Sequence, residues 1–195
     1  MAYVPQLTPT RPTNVYSDDI YYSWNPFYQT GYGLPNCTAY AFGRFWSLAN
    51  PTSATDNKPT LKTSYSANAC FWWGYTEDGY DRGQTPKLGS VICFYTEGDF
   101  EPGHVGIVEE IHEDGSITTS NSAWGGSIFY LERLYPPYQS SYYDEYGNLK
   151  ILKCQGFIYN PFAEGGSGRI PKEIILFNRR KDDDMGRYRR YTRRL

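Results

Sequence analysis

Residues 35–51 read Pro-Asn-Cys-Thr-Ala-Tyr-Ala-Phe-Gly-Arg-Phe-Trp-Ser-Leu-Ala-Asn-Pro, and this stretch decides the architecture. Its apolar residues Ala41, Phe42, Phe45, Trp46 and Ala49 recur at the i, i+1, i+4, i+5, i+8 spacing of one helical face. Asn36 suits an N-cap, because its short side-chain carbonyl can accept from the unpaired N–H groups of a first turn. Asn50-Pro51 suits a stop, so the spacing predicts a helix over 37–49. A shorter helix is expected near Asn68–Trp73.

Downstream of Pro86 the period changes. Ser90–Tyr95 reads as a buried strand, and His104–Ile111 and Ser116–Asn121 flank Asp114-Gly115, a dipeptide that favours hairpin turns needing positive φ. Ile128–Tyr135 and Gly156–Tyr159 read as further strands. Helices first and an antiparallel sheet afterwards predict one α+β domain, with helices packed on the sheet. Residues 1–30, with Pro5, Pro9, Pro12 and Pro26, read as an extended N-terminal arm; 31–178 as the domain; 179–195 as a basic tail.

The chain has 195 residues and a formal net charge of −2, unevenly placed. From Arg179 to Leu195 eight basic residues face three acidic ones, an excess of +5, which leaves 11 basic and 18 acidic residues elsewhere. A basic tail on an acidic body suits an anionic polymer, an acidic protein surface, or simple solvation. No apolar run reaches the roughly 18–20 residues that span a bilayer, and the first residues lack the pattern of a secretory signal. The four cysteines, Cys37, Cys70, Cys93 and Cys154, are widely spaced, and most of them read as free thiols. No C-x-x-C or H-E-x-x-H pattern is present, and Asp18-Asp19 lacks the alternating oxygen ligands of a calcium loop, so neither metal nor cofactor is expected.

Chemistry centres on Cys37 and His104. A thiolate gains from the free N–H groups and dipole of a helix start, where Cys37 falls. A base is then needed, and the chain holds two histidines. His112 lies beside the turn, whereas His104 opens a strand behind Gly103, where it can reach a helix end, so Cys37 and His104 form the natural dyad.

Asn36-Cys37-Thr38-Ala39-Tyr40-Ala41 resembles the cysteine motif of CHAP domains, the cysteine- and histidine-dependent amidohydrolases and peptidases. Gly103-His104-Val105-Gly106-Ile107-Val108-Glu109 resembles their histidine motif, and Ser120-Asn121-Ser122-Ala123-Trp124-Gly125-Gly126 the segment that supplies the third polar group. The resemblance covers roughly 31–160, in the family's order. It implies a papain-like fold of the CHAP and NlpC/P60 type and a cysteine amidase or endopeptidase acting on peptidoglycan. A phage lysin is the expected setting, in the virion or in the host before release. The alternative is a virion structural protein that uses the fold for assembly contacts. Asn121 stands where many relatives carry Glu, so it would orient His104 without a full charge. Asn36, Tyr40 and Trp124 are expected to line the substrate cleft.

Hairpin arithmetic opposes Asn121. A two-residue turn at Asp114-Gly115 pairs positions summing to 229, which sets Asn121 opposite Val108. That is about 13 Å along the strand from His104. A bulge, or a turn centred nearer His112, must close the gap.

Overall fold

Two helices precede the sheet in the computed structural model, which describes residues 3–9, 19–64 and 67–163; the tail from Arg179 lies outside them. The first, α1, is one turn at Pro26–Gln29, and the second, α2, runs Cys37–Ser47, the helix expected from its apolar stripe. Asn36 caps it as expected: its Oδ1 accepts from the N–H groups of Thr38 at 2.8 Å and Ala39 at 3.4 Å. The face carrying Ala39, Phe42, Phe45 and Trp46 is buried against Phe27, Trp72, Val91, Val105, Ile107 and Ile158. Burying each large side chain stabilises by about 1.5–3 kcal/mol, so packing rather than propensity holds this short helix. Near Asn68–Trp73 the backbone makes a 3₁₀ turn at Ala69–Phe71.

Seven antiparallel strands follow: β1 (Arg82–Gly83), β2 (Val91–Thr96), β3 (Phe100–Ile111), β4 (Ile117–Asn121), β5 (Tyr130–Leu134), β6 (Gln139–Tyr143) and β7 (Leu149–Ile158). Their order is β1-β7-β2-β3-β4-β5, with β6 also pairing β7. Because β5 leads straight into β6, and Ser140 donates to Glu132 at 2.6 Å across them, the sheet curls back on itself. Ile92, Phe94, Val108, Ile117, Leu134, Tyr138, Leu152 and Phe157 form a second core on the side away from α2. Both faces of β2 are therefore buried, which explains its unbroken apolar run. Among the described residues no helix is long and apolar enough to cross a membrane.

Two strands were not legible. Gln139–Tyr143 is polar and half exposed, and Arg82–Gly83 is two residues long, so neither carries the apolar alternation that marks a strand. The stretch read as an arm is also more than an arm: Tyr21, Asn25 and Phe27 are buried, and Tyr3 and Gln6 bind Glu109. Prolines prevent regular structure but not the burial of aromatic side chains.

The β3–β4 register departs from the two-residue turn in two steps. His112 donates its N–H to the carbonyl of Ser116 and Gly115 to that of His112, so three residues, Glu113, Asp114 and Gly115, form the loop, with Gly115 at φ 83°. Pairs near the turn sum to 228, as in Ile111↔Ile117, and an irregularity between Val108 and Glu110 brings the sum to 227, as in Ile107↔Ser120. Both shifts move Asn121 toward His104.

Candidate active site

Asn121 lies beside Gly106. A Cβ on Gly106 would fall 2.2 Å from Asn121 Oδ1, so only glycine leaves room for this amide. The amide reaches His104, with Nε2 and Oδ1 3.1 Å apart. Its orientation is fixed by the other end: Asn121 Nδ2 donates to Thr119 Oγ1 at 2.9 Å and to the Thr119 carbonyl at 3.2 Å. A carbonyl can only accept, so Nδ2 faces Thr119 and Oδ1 faces the imidazole. His104 therefore carries its proton on Nε2, and Nδ1 is the nitrogen that remains for a thiol proton.

Cys37 meets the same strand one residue further on. The backbone N–H of Val105 is directed at the Cys37 sulfur, as are those of Thr38 and Cys37 itself. β4 pairs β3 only from Ile107 onward, and beyond that pairing Ser122 Oγ accepts from the Asn36 N–H, so the helix start meets both segments here. Burial is the larger influence and pushes the Cys37 thiol up to about 11, despite the three N–H groups that lower it. The lowered thiolate pKa expected at a helix start is thus overridden. At neutral pH the thiol keeps its proton until a base takes it.

His104 is 9% exposed, and burial lowers its pKa to about 4, against a smaller opposing effect of the Asn121 hydrogen bond. A depressed histidine adds stability above its unfolded value, about 6.5, and loses it as pH falls through about 4. Over that window the loss is about 3 kcal/mol. Chemical denaturation of the wild type at pH 7.5 and pH 4 should show it, and His104→Gln should lose less over the same interval. Equal losses in both proteins would show that His104 does not titrate in this way.

Other expectations need correction. Tyr40 is 3% exposed, stacked on Tyr21 at 5.9 Å and edge-on to Phe129 at 6.0 Å, so it is a core residue and not a cleft wall. Asn36 is not placed for substrate either: its carbonyl oxygen is spent on the cap, and its backbone N–H donates to Ser122 Oγ at 3.1 Å. Ser122 thereby ties the two motif segments together. Trp124 is 67% exposed and flanks an open groove of about 470 Å³ with Tyr28, Leu34 and Pro35, whose lining includes neither Cys37 nor His104. His112 is half-buried by the turn, its Nε2 2.8 Å from Thr118 Oγ1.

Sequence reasoning missed Tyr130. It pairs with Asn121 across β4–β5, its ring lies 6.5 Å from that of His104 at 25°, and its hydroxyl is 3.4 Å from Nε2. Once Asn121 is given, alternation on the next strand is the one signal that would have found it. All four cysteines are free; Cys70 and Cys93 are buried, and burial raises every thiol.

A helix start set against an antiparallel sheet, with polar groups gathered at the junction, is the α+β arrangement expected from the sequence. Residues 27–123 match the model of the CHAP domain, and this chain carries a CHAP domain. It is 31% identical over 116 residues to a protein of Staphylococcus aureus described as a probable autolysin, SsaALP, covering 59% of this chain and 36% of that one. A solved N-acetylmuramoyl-L-alanine amidase from Staphylococcus aureus aligns with 62% of this chain and 30% of its own, at 22% identity and a TM-score of 0.40. The chain spans about a third of the length of these relatives.

Proposed function

We propose that this protein is a peptidoglycan hydrolase that cleaves an amide or peptide bond through Cys37 and His104. The observation that carries the reading is the junction itself: an imidazole whose Nε2 is held by Asn121 lies one residue from the backbone N–H directed at the Cys37 sulfur. In the proposed cycle His104 Nδ1 takes the thiol proton as sulfur attacks the carbonyl carbon. The C–N bond breaks, the proton passes to the leaving amine, and a thioester remains. Water, deprotonated by His104, hydrolyses the thioester and restores the thiol. The backbone N–H of Cys37 at the helix start suits the developing oxyanion.

Incubating purified protein with bacterial walls and analysing the soluble products by mass spectrometry tests the reading and names the bond. Walls left intact by folded protein would reject it. The groove beside the helix start suits the substrate strand, with Trp124 as its exposed wall. Trp124→Ala should raise KM about tenfold with kcat held within about twofold, as loss of uniform binding does; a fall in kcat alone would remove Trp124 from the binding surface.

The phage setting, as free lysin or virion component, rests on the family resemblance. Finding the chain in assembled particles would support it. The tail, with its excess of positive charge, is proposed to hold an anionic polymer or an assembly partner.

A further inference from the structure

We propose that Tyr130 is a positioning residue for His104: its ring covers the imidazole, and its hydroxyl oxygen is a second acceptor for the Nε2 proton. The inference rests on the reading of His104 as a base, and it follows from where each proton must lie. Thr119 fixes the Asn121 amide, Asn121 Oδ1 accepts from Nε2 at 3.1 Å, and Nε2 is therefore a donor. The Tyr130 oxygen, 3.4 Å from the same nitrogen, can then only accept from it.

In the resting, neutral imidazole this second contact is long and weak. It strengthens when His104 takes the thiol proton, because a charged N–H makes shorter and stronger hydrogen bonds. The site needs such help. Its orienting group is a neutral amide, and the imidazolium forms where burial already opposes charge. The near-parallel rings of Tyr130 and His104, with Phe94 at 6.1 Å from the imidazole, further restrict how the ring turns.

The groups that bear on His104 from each neighbouring element are few. Phe94 comes from β2, Asn121 from β4 and Tyr130 from β5; Glu132 on β5 and Cys37 on α2 act in turn on Tyr130. Cys70 lies behind Gly103. Burial keeps the Tyr130 phenol protonated well beyond the ordinary tyrosine range, so its hydroxyl stays neutral wherever the enzyme would work.

The chain has two histidines, which makes the test direct. Imidazole ¹H and ¹⁵N signals are titrated in Cys37→Ala protein, with His104→Gln assigning the two rings. Tyr130→Phe should lower the His104 midpoint by about half a unit to one unit and shift its Nε2 resonance, as expected for loss of a bond to the charged form. In the wild-type background the same substitution should lower kcat about three- to tenfold, with KM and thermal midpoint unchanged. Tyr130→Ala should lose further activity, because the ring cover goes as well. If Tyr130→Phe leaves both the titration and the ¹⁵N shift as in the parent, Tyr130 is packing alone and the proposal falls. Because the titration needs no substrate, it decides even if the protein cleaves no wall.

Discussion

Cys37→Ser lowers wall hydrolysis by roughly 10⁴-fold or more, the expected scale for removing a covalent nucleophile. The fold should be unaffected, since the substitution changes one atom at a partly exposed helix start and leaves the Asn36 cap in place. A serine hydroxyl is a far weaker nucleophile than a thiol, and His104, held low by burial, cannot deprotonate it efficiently. The remaining cysteines give the contrast. Cys70→Ser, Cys93→Ser and Cys154→Ser should keep the chemistry, although Cys93 is fully buried and its serine variant should lose stability. Initial rates of fragment release, measured beside far-UV circular dichroism, separate the two effects. Full activity in folded Cys37→Ser would remove Cys37 from the mechanism.

A second large effect is expected away from the dyad. Glu109 is fully buried, and its carboxylate accepts from Arg44 Nε and Nη2, both at 2.9 Å, from Ser120 Oγ at 2.6 Å, from the Gln6 N–H at 2.8 Å, and from the Tyr3 hydroxyl. One side chain on β3 thus joins α2, β4 and the N-terminal segment, and so holds the helix against the sheet. Glu109→Ala leaves the Arg44 guanidinium buried without its counter-charge, which should destabilise by about 3–5 kcal/mol. Replacing both partners together, Arg44→Met with Glu109→Leu, should recover much of that loss, because no unpaired charge then remains. Urea denaturation of the two variants checks this. Equal losses in the single and the double variant would show that packing volume, not charge pairing, sets the cost.

Helix α2 and the hairpin were legible because each is specified locally. Asn36 can cap, Ala41 to Ala49 form one face, and Asp114-Gly115 turns the chain, each signal lying within the element it specifies. The choice of Cys37 and His104 as candidates came from another source: two histidines left little choice once a helix start was placed. Tyr40 was misread because period shows that a residue faces inward but not whether a cleft or a core lies there. Glu109 closed the histidine motif without a role of its own, since nothing local announces a partner 65 residues away.

The sequence by itself determined the α+β class, the capped helix that begins at Cys37, and the strand that carries His104. Register was left to the tertiary structure. A turn of three residues rather than two, and an irregularity between Val108 and Glu110, decide that Asn121 rather than any neighbour meets His104. The burial that raises Cys37 and lowers His104 was decided there too. Turn type and strand slippage turn on small free-energy differences settled by packing on both faces of the sheet. Desolvation of a side chain depends on atoms supplied by segments far apart in the chain.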